Sequence, residues 1–137
     1  METSLPLGTN KNGPRQEDLQ KIAAALWAKG VANVIITLGG SGSAVVEEDS
    51  IQYIPCVYMD HVADPTAAGD SFVGALSVGL TAGLSQEAAL SFASHTAAIT
   101  VSRMGAMPSL PTLEEVITLM KERNYQGFDL AALDVLK

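Results

Sequence analysis

Asp64-Pro65-Thr66-Ala67-Ala68-Gly69-Asp70-Ser71-Phe72-Val73-Gly74-Ala75-Leu76 is the stretch on which the reading of this chain turns. It is a small-residue turn that ends in a carboxylate just as a helix begins. Ala67, Ala68 and Gly69 leave almost no side-chain bulk, so backbone N–H groups can face an anion closely. Phe72, Val73, Leu76 and Leu80 recur at helical spacing and place Asp70 in the first turn. A helix N-terminus carries roughly half a positive charge together with unpaired N–H donors, which suits phosphate. An acid beside it can accept a proton from an attacking hydroxyl, and the combination reads as phosphoryl transfer. The same residues also admit a plainer reading. An Asp in a first helical turn opposes the macrodipole, and small residues before a helix serve close packing.

Composition narrows the classes of function. The chain has 137 residues, 47% hydrophobic and 17% charged, which fits one ordinary globular domain spanning 1–137. A net charge of −7 leaves no basic face for nucleic acid or for an anionic membrane surface. Met1 to Asn10 lacks a basic segment followed by an apolar run, so no signal peptide is expected, and no apolar stretch is long enough to span a bilayer. The single cysteine, Cys56, precludes an internal disulfide framework and is consistent with a reducing, cytoplasmic setting. It is expected to pack as a small hydrophobe between Pro55 and Val57.

Outward from the turn, the chain reads as helix, strand and hairpin. Asn12-Gly13-Pro14 signals a turn that opens a helix, in which Leu19, Ile22, Ala23, Leu26 and Trp27 form an apolar stripe. Gly30 closes that helix at C′. Val34 to Leu38 is an unbroken, mostly β-branched run, as expected of a strand covered on both sides in a parallel sheet. Helix, short turn and buried strand are the grammar of an α/β fold. Gly39-Gly40-Ser41-Gly42 has no Gly-Lys-Ser/Thr ending, and alternating residues follow it, so it fits neither the Walker nor the Rossmann template. By itself it is a tight turn between strands. Val45 to Glu47 and Ile51 to Ile54 pair as a hairpin, and Val57 to Val62 adds a further short strand.

Beyond Asp70, Gly83 stops the helix. Ser85 caps a second, buried helix reaching about Ser102. Pro108 and Pro111 define a rigid loop, and Thr112-Leu113-Glu114-Glu115 is a capping box for a helix reaching about Arg123. A short helix is expected in the tail, Tyr125 to Lys137.

In this order the chain resembles the C-terminal half of a ribokinase-like (PfkB family) carbohydrate kinase. The stretch from Asp64 to Leu76 is similar to the family's second signature. Thr37-Leu38-Gly39-Gly40-Ser41-Gly42 resembles its nucleotide-contacting turn. Ala97-Ala98-Ile99 and the segment Val101 to Ser109 resemble the part flanking the adenine and alkali-cation sites. The resemblance implies an α/β fold, a three-layer αβα sandwich of which this chain is the C-terminal half only, with a β-hairpin after the first core strand. It also implies that Asp70 is the general base and that Ala67, Ala68 and Gly69 form the anion hole. Thr37, Gly39, Gly40, Ser41, Gly42, Gly69, Ser94 and Ala98 would lie along the nucleotide. Carbonyls of Asp64, Thr66, Thr100, Arg103 and Gly105, with Ser109, would be the ligands of a monovalent cation such as potassium. ATP and Mg2+ follow, the magnesium arriving with the phosphates.

Two departures from the family accompany this reading. The family shows Asn-x-x-Glu where this chain reads Met1-Glu2-Thr3-Ser4, so both of those functional side chains are absent. His95 falls one place beyond the adenine-side polar position, which Ser94 occupies, and reads as a satisfied helix histidine. The expected partners are a nucleotide and a sugar. Because the half that carries most of the sugar site is absent, self-association or pairing with an N-terminal half is expected to cover the exposed sheet edge. The competing class of function is a nucleotide-binding or interaction fragment without catalysis of its own.

Overall fold

The structure, a computed structural model, describes residues 15–123, 125 and 130–137. The expected turn at Asn12-Gly13-Pro14 and the Met1–Ser4 segment lie outside the described residues. The chain divides into two compact units, one ending at Cys56 and the other beginning at Val57.

In the first unit, α1 (Gln16–Trp27) buries Leu19, Ala23 and Leu26, the i, i+4, i+7 stripe of its sequence. These side chains pack on Val34, Ala44 and Val46 of the sheet, with Ile22 and Trp27 at the margin. Gly30, at φ +92°, lets the Val31 N–H donate back to the Leu26 carbonyl at 3.2 Å. That i→i−5 bond ends the helix where the sequence places its C′ glycine.

The sheet contains β1 (Val34–Thr37), β2 (Ser43–Val46) and β3 (Ile51–Ile54) in the order β1-β2-β3. Val34 lies opposite Val46 and Ser43 opposite Ile54. The β2–β3 hairpin is as expected. The Glu47 N–H donates to the Ser50 carbonyl at 2.9 Å, and the Ser50 hydroxyl to Glu47 Oε2 at 3.0 Å.

The expectation of a parallel sheet around Val34–Leu38 is not met, since both described pairings are antiparallel. Only Val34 of β1 is buried, while Ile35 and Ile36 are half-buried. Parallel neighbours need a crossover of a dozen or so residues. The Gly39–Ser41 3-10 turn after β1 is too short for anything but an antiparallel return. The fully covered strand is β2, buried along its length, and the Ser43 hydroxyl there has no hydrogen-bond partner among the described residues. Cys56 is exposed, not packed, because it lies beyond the last β2–β3 pair, where the sheet has ended.

In the second unit, the strand expected over Val57–Val62 does not form, and Tyr58 and Val62 are exposed. Among its described residues this unit contains no strand to pair with it. The chain is instead anchored at the end of that segment: the Ala63 and Asp64 amides both donate to the Val101 carbonyl, at 2.8 and 3.1 Å. Helices α2 (Ala68–Thr81) and α3 (Gln86–Val101) then pack on each other, followed by α4 (Leu113–Glu122).

Gly83, at φ +92°, closes α2 by letting the Leu84 N–H donate to the Gly79 carbonyl at 3.0 Å. The Ser85 hydroxyl accepts from the Ala88 N–H at 3.2 Å, and eleven of the sixteen residues of α3 are buried. The Thr112/Glu115 capping box is fully formed at the start of α4. The buried face of α2 is Ser71, Phe72, Ala75 and Gly79, so of the expected stripe only Phe72 is buried. Val73 and Leu80 are exposed, because α2 uses its small residues to approach α3. A Cβ at Gly79 would lie 3.2 Å from that of Ala89. Of the expected tail helix, Leu130–Leu136 is a 3-10 helix anchored by buried Leu133, and residues 126–129 lie outside the described set.

Candidate active site

The turn before α2 is a hydrogen-bonded unit. Asp64 Oδ1 accepts from the Thr66 N–H at 2.9 Å and from the Thr66 hydroxyl at 2.5 Å. The Pro65 carbonyl accepts from the Ala68 N–H at 3.2 Å. Ala67 adopts φ +65°, the one non-glycine residue in the left-handed region among those described. Such a conformation costs on the order of 1–3 kcal/mol and persists only where surrounding bonds over-determine it. The Ser71 N–H then donates to the Ala67 carbonyl at 2.9 Å and starts the helix.

Among the described residues, the amides of Ala67, Gly69 and Asp70 donate to no acceptor, whereas that of Ala68 is engaged within the turn. Gly69 and Asp70 are exposed, and nothing lies within 4 Å of where a Gly69 Cβ would sit. The result is an exposed carboxylate in the first turn of a helix, beside three unused N–H donors. This arrangement can hold an anion and accept a proton next to it.

Of the residues matched to a cation site, Thr100, Arg103, Gly105 and Ser109 lie at or after the C-terminal end of α3, and Asp64 is tied to that end while Thr66 is bonded to Asp64. Asp64 Oδ2 accepts from the Gly105 N–H at 3.1 Å. The Arg103 N–H donates to the Thr100 carbonyl at 3.2 Å, and the buried Ser109 hydroxyl donates to the Ala106 carbonyl at 2.5 Å. Carbonyl and hydroxyl oxygens are the donor types that hard cations take, and Thr100 and Arg103 offer theirs at the negative end of the α3 dipole. Among the described residues, no group of three or more His, Cys, Asp or Glu side chains could hold a metal ion. The Thr66 hydroxyl, then the Thr66 and Gly105 amides, hold the Asp64 carboxyl below its ordinary range.

On α3, the Ser94 hydroxyl donates to the Leu90 carbonyl at 2.8 Å and Ala98 is buried. His95 is a satisfied core histidine. Its Nδ1 lies 2.7 Å from the Ser91 carbonyl, its ring meets Tyr125 edge-on, and burial pushes its pKa below the ordinary value.

In the first unit, the glycine-rich turn is built on its own bonds. The Leu38 N–H donates to the Gly42 carbonyl at 2.7 Å and the Gly42 N–H to the Gly39 carbonyl at 3.0 Å. Thr37, Gly39, Gly40 and Ser41 are exposed. Gly42 is half-buried at φ +90°, where a Cβ would meet the Ile54 carbonyl oxygen at 2.0 Å.

In the sequence Glu115 is legible only as a capping residue. It also receives Arg103, from Nη2 at 2.7 Å and Nη1 at 3.3 Å, while its Oε2 accepts from the Thr112 N–H. No local spacing rule pairs residues twelve apart across a loop, so the tie had no signal in the sequence. It borders an open groove of ≈ 460 Å³ lined by Met59, Ile99 and Leu119 among others. Arg103 first, then the Thr112 amide, pushes the Glu115 carboxyl down to about 2 from 4.5. A depressed folded-state pKa contributes stability that is present above the unfolded value and lost as protons bind. The unfolding midpoint of the chain is therefore expected to exceed that of Glu115→Gln above pH 4.5, the gap closing as pH falls towards about 2. Urea unfolding of both proteins across that range measures this, and a gap independent of pH would contradict it.

The model of the pfkB family carbohydrate kinases matches residues 5–113. A ribokinase of Arabidopsis thaliana is 36% identical over 124 residues, covering 88% of this chain and 32% of the relative. The solved ribokinase of Thermotoga maritima is similar at 39% identity with a TM-score of 0.69, over 74% of this chain and 34% of that one. The solved Arabidopsis thaliana ribokinase, complexed with ribose and ATP, is similar at 32% identity and a TM-score of 0.73, over 80% and 36%. The described elements thus have a ribokinase-like α/β fold. The chain spans about a third of the length of these relatives.

Proposed function

The chain belongs to the pfkB family of carbohydrate kinases, and from that premise we propose that it serves ATP-dependent phosphoryl transfer to a hydroxyl of a sugar or sugar-like substrate. The observation that carries this reading is the exposed Asp70 carboxylate at the N-terminus of α2, flanked by amides that no described acceptor uses. Asp70 takes the proton of the attacking hydroxyl. The Ala67–Gly69 turn receives the charge that builds on the transferred group. Phosphoryl transfer passes through a loose transition state, so positioning and preorganised charge supply most of the rate. A carboxylate is a weak base, which suffices when the proton leaves late.

Thr37, Gly39 to Gly42, Ser94 and Ala98 border the nucleotide in this reading. Bound ATP with Mg2+ supplies the phosphoryl group, the metal held largely by phosphate oxygens. A potassium-like ion on the carbonyls of Asp64, Thr66, Thr100, Arg103 and Gly105, with Ser109, would steady the loop beneath the turn. The reading places the protein in the cytoplasm, where nucleotide is supplied, and no described helix is long and apolar enough to cross a membrane.

One observation favours a second reading. The chain matches about a third of its relatives' length, and Val73, Val78 and Leu80 of α2 are exposed. On this reading the chain is a nucleotide-binding module that becomes catalytic only when a complementary half, or a second copy, covers that face.

Titration with a non-hydrolysable ATP analogue, followed by a phosphorylation screen over pentoses, hexoses and nucleosides, separates the two. Binding with turnover is the expected result for the kinase. Binding without turnover supports the module, and no binding at all overturns both.

A further inference from the structure

We infer that the Asp64 side chain is a positioning residue for phosphoryl transfer: it fixes the turn that presents the Gly69 and Asp70 amides and ties that turn to the loop after α3. The inference rests on the kinase reading above and assigns to this side chain a role separate from that of its carbonyl.

The geometry runs through one peptide plane. Asp64 Oδ1 accepts from the Thr66 N–H at 2.9 Å, and the carbonyl of the same peptide, that of Pro65, accepts from the Ala68 N–H at 3.2 Å. A trans peptide is planar, with its N–H and C=O pointing in opposite directions. Holding the N–H therefore holds the carbonyl that sets the direction of Ala68. Ala67 lies between them at φ +65°, a conformation an alanine leaves unless both flanks are held. Release of the Pro65–Thr66 plane lets Ala67 return to negative φ, and the free Gly69 and Asp70 amides lose their common direction.

The second carboxylate oxygen reaches across the chain. Oδ2 accepts from the Gly105 N–H at 3.1 Å, forty-one residues away, on a glycine at φ +88°. The same loop is held from its other side by Arg103 on Glu115. One side chain therefore anchors two segments that the kinase reading assigns to different jobs, the anion turn and the cation loop. Proline at 65 fits this design, since it has no N–H to compete for Oδ1.

The test uses the full 137-residue chain and three measurements, one without ligand and two by ligand titration. Amide hydrogen exchange of Gly105 is read first, without ligand. Asp64→Ala is expected to lose protection at Gly105, and unchanged exchange there overturns the bridge whatever else is found. Backbone NMR then follows titration with Mg·ATPγS and, separately, with adenosine, which carries no phosphate. In the parent protein the Gly69 and Asp70 amides are expected to shift with ATPγS.

Asp64→Ala is expected to weaken ATPγS by about tenfold, as loss of hydrogen bonds to a charged group would. It is expected to leave adenosine affinity essentially unchanged. Equal loss of both ligands means a merely structural role and overturns the inference, as does unchanged ATPγS affinity. A parent protein whose Gly69 and Asp70 amides ignore ATPγS, with Gly105 exchange responding as expected, refutes the kinase reading and the positioning role with it, while leaving the bridge standing. If Asp64→Ala does not fold, Asp64→Asn serves. It keeps one acceptor but offers an amide N–H towards Thr66 or Gly105, so a smaller loss, again confined to ATPγS, is expected.

Discussion

Asp70→Asn is expected to lower the rate of phosphoryl transfer by about 10²–10⁴-fold, the usual contribution of a general base, with little change in nucleotide affinity. The substitution is nearly isosteric, and Asp70 is exposed with no side-chain partner among the described residues, so the fold loses only the modest attraction of its charge to the helix N-terminus. The amides of Ala67 and Gly69 stay where they are, which is why binding should survive. The effect falls on kcat because an amide cannot take the hydroxyl proton as bonding to phosphorus develops. The measurement is ADP release with whichever sugar the substrate screen identifies, alongside the affinity for the ATP analogue. Equal turnover in variant and parent would remove Asp70 from the chemistry. A matched loss of binding and turnover would make it a structural acid of the helix N-terminus.

The second large effect is expected in the other unit. Gly42→Ala places a Cβ 2.0 Å from the Ile54 carbonyl oxygen and 2.8 Å from the Cys56 amide nitrogen, at a backbone φ of +90°. Neither neighbour is the end of a flexible side chain, so the backbone itself must move, and the Ser43–Ile54 pair that begins the β2–β3 ladder must open. Left-handed strain and overpacking together are expected to cost about 2–5 kcal/mol. Gly40→Ala is the control. Nothing lies within 4 Å of its Cβ and its φ is ordinary, so a change within about 0.5 kcal/mol is expected. Urea unfolding of the two variants gives the contrast. If they behave alike, the tight fit at Gly42 plays no part in holding the sheet, and its glycine must be explained by what the turn binds.

These two residues show how unevenly the site could be read from sequence. Asp70 was legible because a short local pattern placed it in a first helical turn, and the structure puts it there, exposed. The glycine-rich turn was legible as a turn, since two of its residues need positive φ, yet the clash that demands Gly42 comes from β3, after the hairpin. The carbonyl ligands of a cation site are legible through the family resemblance alone. That the Asp64 side chain also reaches Gly105, far along the chain, had no counterpart in any local pattern. The buried face of α2 differs from the one its large residues suggest, for a related reason. The large residues Val73 and Leu80 suggested burial, but the helix was free to turn its small residues inward once Ala89 could approach Gly79.

What the sequence determined alone was a set of closures made between near neighbours in the chain. The glycine stops at Gly30 and Gly83, the Ser85 cap, the Thr112/Glu115 box and the Glu47–Ser50 hairpin all close within six residues, so side-chain identity settles them. What only the tertiary structure decided was burial and long-range pairing. Whether Val57–Val62 became a strand, whether Cys56 was covered, which side of α2 met α3, and that Asp64 reaches Gly105 all depend on which surfaces come together. Burial is a property of the neighbour as much as of the residue, and the neighbour lies far away in the chain.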